Sequence, residues 1–334
     1  MRIVSPSIEI MRTGLETEFV TPEQFIEKVG RTCYKSEDKI TEDSATKFVG
    51  NLIKRGHEAM IEHWSLIFKV NTVAYDRIVR DWEVLLHGRN REIGEPLRPH
   101  IRFTDYDTPE GESRYIVSGN MRAWRDYTRA FLCNYGRLPA YLCGIVRNYP
   151  LFFPEYQDHV PTFIANDIMI PISVSDLTDV EKRVHQDVTV KFICDRGVSH
   201  EIVRHRVASF AQESTRYCNY GLDKFDNCIT VVEPLFIEDA YNANRPDIIN
   251  AWERACSAAE FDYFNLLSYG CTPQEARSVL PSSLKTEIIV TMNIDGWNHF
   301  FELRDAVSAQ PDMQHIAHMA KCRFEVNDIW KFEA

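Results

Sequence analysis

Helix-period and strand-period segments follow one another along this chain without strict alternation, and that order narrows the fold before any motif is read. Thr21-Pro22-Glu23-Gln24 places a hydroxyl at an N-cap, proline at the first helical position and glutamine at the third, which is a capping box. The helix it opens is expected to run to about Tyr34. A second helix is expected from about Ser44, with Phe48, Leu52 and Ile53 on one face and Gly56 as its stop. The N-terminal stretch, Ser65–Val70, Tyr115–Ser118, Val188–Ile193 and Lys285–Asn293 read as strands. Met121–Tyr135 reads as a helix with Trp124, Tyr127 and Phe131 on one stripe. Asp247–Ser268 reads as a long helix whose recurring Ile249, Trp252, Cys256, Ala259, Tyr263 and Leu267 predict core packing. A second capping box at Thr272-Pro273-Gln274-Glu275 should start a helix bearing Arg277. Asp295–Leu303 should be a short helix that delivers Arg304, and a final helix should start at Pro311. This mixture predicts an α+β fold, a mixed β-sheet flanked by helices, rather than a doubly wound parallel sheet.

The chemistry concentrates in RHRVASFAQESTRY, from Arg204 to Tyr217. Guanidinium groups hold phosphates through paired, charge-assisted hydrogen bonds. An imidazole beside them packs on a flat ring or shares a proton near neutral pH. Val207, Phe210 and Tyr217 interleave with the charges, which argues against a merely solvated basic stretch. The formal net charge is −11, so general nucleic-acid binding is disfavoured. The arginines form a local positive pocket in an acidic protein, suited to a small anionic ligand such as a nucleotide.

Other sites are weaker. His57 and His63 in HEAMIEH stand six apart, about 240° net around an α-helix, and would point in different directions. A zinc-protease pair needs a spacing of four, so no metal site is expected there, and His315 with His318 reads as a surface pair. Ser214 reads as a group that positions a phosphate or ribose rather than as a nucleophile, since His205 is distant in sequence. The nine cysteines are scattered with no CxxC pair and suggest reduced, packed side chains. Hydrophobic content of 44% with 26% charged residues is ordinary for a globular enzyme. No apolar run approaches the ~20 residues that span a bilayer, and no signal-peptide pattern opens the chain. A cytoplasmic location is the default expectation. The arginine-rich stretch His87–Arg102 reads as a solvated loop.

Three segments together carry a family resemblance. RHR, seven residues, Ser214, then Arg216 and Tyr217 is similar to the RHR-x7-S motif of the flavin-dependent thymidylate synthases. His57-Glu58-Ala59-Met60-Ile61-Glu62-His63, followed by WSLIFKV, resembles the family's HE-x3-EH segment beside the flavin. Ala276–Arg304 resembles its C-terminal half, where an arginine precedes VLP and a helix leads to a Leu-Arg pair. The resemblance covers roughly residues 1–70 and 185–325. It implies one domain spanning 1–334, with an insertion at about 71–185 that short members lack.

The resemblance implies reductive methylation of dUMP to dTMP. Methylenetetrahydrofolate would donate the carbon, and NADPH would reduce FAD. No Pro-Cys pair is present to supply the cysteine nucleophile of the other thymidylate synthase type, and no GxGxxG fingerprint is present. By the same resemblance, Arg304 faces the pyrimidine and favours ionisation of its N3 proton, acting as the catalytic cation. Glu201, Arg204, Gln212, Glu213, Ser214, Thr215, Arg216 and Arg277 match dUMP positions. Ala59, Arg204, His205, Arg206, Gln212, Asn293, Ile294, Asp295 and His299 match flavin positions. Glu201 stands where the family often has glutamine, and Ala59 lacks a hydroxyl common there. The implied assembly is a homotetramer with sites at subunit interfaces. A regulator on the same fold without catalysis, or an enzyme for another pyrimidine nucleotide, are the alternatives; intact Ser214, Arg277 and Arg304 favour the synthase.

Overall fold

The computed structural model describes residues 1–15, 20–87, 100–108, 111–162 and 169–332. Much of the arginine-rich stretch that began at His87 therefore lies outside the described residues.

The N-terminal stretch forms two strands, β1 (Arg2–Val4) and β2 (Ser7–Arg12), with Pro6 between them. Proline has no amide proton for a ladder, so the strand divides there. β1 pairs in parallel with β9 (Thr230–Val232). β2 joins the central sheet, whose order is β2-β7-β10-β8, with β7 at Asp187–Asp195, β8 at Ser209–Gln212 and β10 at Lys285–Asn293. Every pairing in that sheet is antiparallel. The α+β character stands, but the expected mixed sheet does not. Among the described residues parallel pairing is confined to the separate β1–β9 ribbon, because the break at Pro6 detaches β1 from β2.

β10 is buried along nearly its whole length, so both faces of the sheet are covered. One face receives α1 (Pro22–Tyr34), whose Phe25, Val29 and Cys33 meet Ala211 and Ile289. The other packs Val190, Phe192 and Val290 against Trp297, Phe300 and Phe324. Those aromatics come from α11 (Ile294–Arg304) and α12 (Pro311–Val326), both as the sequence predicts. The capping box at Thr21 forms, with Gln24 N–H on the Thr21 hydroxyl and the Gln24 side chain on the Thr21 N–H. α2 (Ser44–Lys54) follows and ends before Gly56, whose φ of 70° needs a glycine.

The segment from 71 to 185 is built around β3 (Ser65–Val70). Its two edges pair with β5 (Ser113–Asn120) and β6 (Met169–Pro171), and β4 (Ile101–Asp107) extends the sheet beyond β5. Helices α3 (Thr72–His87), α4 (Met121–Tyr135), α5 (Ala140–Asn148) and α6 (Asp179–His185) surround it. Trp124, Tyr127 and Phe131 of α4 form the predicted stripe. They pack in one cluster with Ile26, Val49 and Ile61, so this segment shares its core with α1 and α2.

Two expectations fail in extent. In α9 (Pro246–Ser268) only Cys256 and Tyr263 of the predicted stripe are fully buried; the helix lies on the surface of a small cluster rather than within a core. The helix opened by Thr272 is a single turn, α10 (Pro273–Ala276), after which Arg277–Val279 tightens to a 3₁₀ turn ahead of Pro281. α7 (Arg196–Ile202) and α8 (Leu235–Asn242) complete the set.

Candidate functional site

The basic motif lies between β7 and β8. Asp195 ends β7 and caps α7, its carboxylate accepting the Val198 amide at 2.6 Å. α7 carries Glu201 and stops at Val203, and the chain must then reverse to enter β8. Val207 makes that reversal with φ at 63°. A β-branched residue is costly in the left-handed region, so the loop holds local strain. The reversal leaves His205 buried and Arg206 exposed; the Arg204 side chain is 70% exposed.

β10 and α11 bring Arg304 to the same place. Asn293 ends β10 opposite Asp187 and caps α11, its side-chain oxygen accepting Gly296 N–H at 3.0 Å. The Asn293 amide also donates to the Val184 carbonyl. Arg304 lies in the last turn of α11, where a cation meets the negative end of the helix dipole. Its guanidinium donates to the Glu201 carboxylate at 2.6 Å, to the Glu201 carbonyl at 3.2 Å and, through Nε, to His205 Nε2 at 2.9 Å. His205 also packs on Phe300, with ring centroids 4.8 Å apart, and lies 6.1 Å from the His299 ring. Burial, with the charges of Arg304 and His299, pushes His205 down to about 4. The ring is therefore neutral at pH 7, with Nε2 accepting and the proton on Nδ1. Arg204 approaches the same Glu201 at 3.5 Å.

A second group forms past β8. Ser214 N–H donates to the Cys33 carbonyl at 3.0 Å and fixes this turn to the end of α1. Arg216 Nε donates to Gln274, and Arg277 donates to the Thr215 hydroxyl at 3.3 Å. Both arginines are exposed, and among the described residues neither has a carboxylate in ion-pair range. Tyr217 packs on Tyr34 at 5.3 Å, and the Tyr34 hydroxyl lies 3.5 Å from His57 Nδ1.

Other predicted residues are spoken for within the chain. Gln212 donates to Ser199 and Thr286, and Glu213 is buried against Lys285 at 3.0 Å. Asp295 accepts from Arg183, Ile294 is fully buried, and Ala59 is exposed. His57 is exposed and His63 buried, so the two diverge. His63 bonds Thr291 at 2.7 Å, and burial lowers it to about 4. Among the described residues no group of three His, Cys, Asp or Glu is placed to hold a metal ion. The described cysteines are all free; Cys33, Cys143, Cys194, Cys218 and Cys256 are buried. No helix among the described residues is long and apolar enough to cross a membrane.

Sequence reasoning missed the partners of the HEAMIEH glutamates. Glu58–His63 is a 3₁₀ turn. Arg125 of α4 reaches Glu58 at 3.0 Å, Arg129 approaches it at 3.5 Å, and Arg122 holds Glu62 at 2.6 Å. The signal was an arginine stripe at 122, 125 and 129, which shares the helix with the aromatic stripe. From β4, Arg102 holds Asp187 by two bonds of 2.7 and 2.8 Å. Burial alone would raise the Asp187 carboxyl, but Arg102 and the Ser65 hydroxyl hold it below its ordinary value.

The family to which these segments belong is defined by a model described as thymidylate synthase complementing protein, which matches residues 15–80 and 183–326. The chain is a member of that family. The stretch between the two matches contains β4, β5, β6, α4 and α5. Among similar proteins are flavin-dependent thymidylate synthases from Pyrococcus furiosus, 34% identical over 37% of this chain and 48% of the relative, and from Geobacter sulfurreducens, 36% identical over 36% and 49%. That of Sulfurisphaera tokodaii is 39% identical over 36% of this chain and 43% of the relative. The chain thus spans about half the length of the relatives it matches. A crystal structure of the UMP/dUMP methylase PolB from Streptomyces cacaoi bound with 5-Br dUMP aligns with 42% of this chain and 67% of its own at 23% identity and a TM-score of 0.37.

Proposed function

We propose that this protein is a flavin-dependent thymidylate synthase that converts dUMP to dTMP, with methylenetetrahydrofolate as carbon donor and NADPH as reductant. The observation that carries the reading is the set of exposed arginines on and beside the RHR loop of an acidic chain. Arg206, Arg216 and Arg277 have no carboxylate in ion-pair range among the described residues, and Arg204 has only Glu201, at 3.5 Å. Cations left in this state suit phosphorylated ligands. Family membership and the flavin-dependent thymidylate synthases among its relatives support the reaction proposed.

The same arginines fit FAD, whose pyrophosphate Arg204 and Arg206 would engage. When bound, the flavin supplies reversible two-electron chemistry. His205, neutral and fixed by Arg304, offers a flat uncharged surface beside them. Asn293, Ile294, Asp295 and His299 complete the flavin set at the start of α11, Ile294 through its backbone; Ala59 and Gln212 join it. Ser214, Thr215, Arg216 and Arg277 hold dUMP, with Glu201, Arg204, Gln212 and Glu213 around it. Since Glu213 is committed to Lys285, its contribution is through the backbone. Arg304 stabilises negative charge on the uracil, because a fixed cation lowers the pKa of a neighbouring acid. Glu201 orients that guanidinium.

The chain is read as one domain with an insertion at about 71–185, which the core shared by α1, α2 and α4 supports. A homotetramer with sites shared between subunits, working in the cytoplasm, completes the proposal. The test is direct. Purified protein incubated with FAD, NADPH, methylenetetrahydrofolate and dUMP should form dTMP, and heat should release intact FAD from it. Absence of dTMP with flavin bound would leave a flavoprotein without this activity. Failure to bind FAD would overturn the reading.

A further inference from the structure

Away from the arginine sites, a cavity of about 650 Å³ opens between the β1–β9 ribbon, the end of α1 and the Tyr220–Phe225 segment. Its volume falls in the range of small-molecule sites, about 300–1,000 Å³. Lys35, Glu213 and Lys285 line the cavity and belong to a charge network completed by Glu287, which is not itself on the lining. Lys35 pairs with Glu287, and Lys285 pairs with both Glu287 and Glu213. Burial alone would raise the Glu287 carboxyl, but the two lysines bring it down to about 2. Those charges satisfy one another, and Arg2 at the rim pairs with Asp226. Glu37 and Asp38 also line the cavity, and Glu37 lies 3.6 Å from Lys35.

Among the described residues, Asp38 at the rim, Lys224 and the Tyr220 hydroxyl are left without a charged or hydrogen-bonded side-chain partner. Lys224 is exposed and donates to the Lys35 carbonyl at 2.8 Å, and among the described residues no carboxylate lies in ion-pair range of it. Tyr220 is 4% exposed, and its hydroxyl is buried without a hydrogen-bond partner. A buried phenol hydroxyl ordinarily finds a partner. Beside these, Tyr220 and Phe225 meet edge to face at 5.1 Å, and the Lys224 ammonium lies 5.1 Å from the Phe225 ring. A flat ring has aromatic surface here, and an anion has the Lys224 ammonium; the Tyr220 hydroxyl itself does not open on the cavity.

We propose that this cavity is a second binding site, for a small organic anion that carries an aromatic ring. It is separate from the site of the RHR motif. It adjoins that site's neighbourhood through Glu213, the residue before Ser214, and through the end of α1, where Lys35 lines the cavity and the Cys33 carbonyl accepts the Ser214 N–H. The binding proposal does not depend on the proposed enzymatic function.

The experiment is ligand-observed NMR titration of the full-length protein with phenyl phosphate and, separately, benzoate. Lys224→Gln, an exposed change, should weaken binding about tenfold or more, the value of a hydrogen bond to a charged group. Tyr220→Phe keeps the ring and removes a hydroxyl that does not open on the cavity, so it should leave binding unchanged. Arg277→Ala, outside the cavity, should leave it unchanged. A preference for either probe assigns the anion as phosphate or carboxylate. Three results would overturn the proposal: no saturable binding of either probe, binding indifferent to Lys224→Gln, or binding lost in Arg277→Ala, which would place the probe at the arginine site.

Discussion

At the scale of single residues, the arrangement turns on how Arg304 is shared. Its guanidinium spends bonds on Glu201 and His205 and still stands at the edge of the exposed arginine loop. Arg304→Ala should lower the rate of dTMP formation on the order of 10²–10³, the range for one lost electrostatic stabiliser. The thermal midpoint should fall as well, since Arg304 is only 16% exposed and its loss leaves Glu201 and His205 without their partner. Near-normal turnover at saturating dUMP would assign the uracil to another cation. Glu201 works against its partner, because a carboxylate beside Arg304 reduces the positive field that a pyrimidine feels. Glu201→Gln keeps a hydrogen-bond acceptor and removes that charge. It should tighten dUMP by up to about fivefold, the worth of a partly exposed ion pair. Equilibrium binding at pH 7 measures this, and weaker binding would mean that the charge of Glu201 is needed to aim the arginine.

Between elements, the informative contact is α4 on the 3₁₀ turn Glu58–His63. The Arg125 side chain is 1% exposed and bonds Glu58, Glu155 and the Phe152 carbonyl. Truncating one member of a buried charge network leaves the others uncompensated. Arg125→Ala should therefore cost about 3–5 kcal/mol, whereas Arg129→Ala, on a half-exposed neighbour, should cost under about 1 kcal/mol. Urea midpoints decide it, and equal effects would show that α4 is held by its aromatic stripe alone. This contact also marks the limit of what the sequence reveals. α1, β3 and α12 were legible because each has a local signature: a capping box, strict alternation, or proline at the start of a helix; β10 was legible as a run of apolar and β-branched residues. α3 was not read, although Ala74, Ile78, Trp82 and Leu85 recur at helical spacing. Its start relies on Asn71, which accepts the Ala74 amide and resembles any turn asparagine. α5 follows Pro139 with no side-chain cap at all. The motif residues were legible by type, but their partners were not. Glu201 and Arg304 meet only because β7 and β10 pair, and the carbonyl of Cys33 meets Ser214 only because α1 lies on the sheet. Local periodicity holds no record of such long-range pairing.

For the whole molecule, two consequences follow from where charge is buried and where it is not. Burial holds His63 and His205 down to about 4, and His185 to about 3 with the Arg102 charge adding to it. In the unfolded chain these rings titrate near ~6.5. Between those limits the unfolded state binds more protons, so stability rises with pH. Their contribution is full above ~6.5 and is lost as pH falls toward about 4. The unfolding free energy from urea titrations should decline across that window, and His63→Gln should flatten the decline; a flat profile in the parent would refute the assignment. The second consequence concerns assembly. Arg204 and Arg206 project outward, while Arg216 and Arg277 lie past β8 on a separate turn. If each site takes the RHR loop from one subunit and Arg304 from another, Arg204→Ala and Arg304→Ala complement each other. Each variant alone should be nearly inactive. In a mixed oligomer, some sites would have both arginines intact, and part of the activity should return. The mixture must first exchange subunits, which native mass spectrometry of differently tagged chains would establish. Exchange without recovery would place both arginines in one subunit's site, as their shared contact with Glu201 allows. A fully active monomer would go further, and would assign to the 71–185 segment the covering role proposed for a neighbouring subunit.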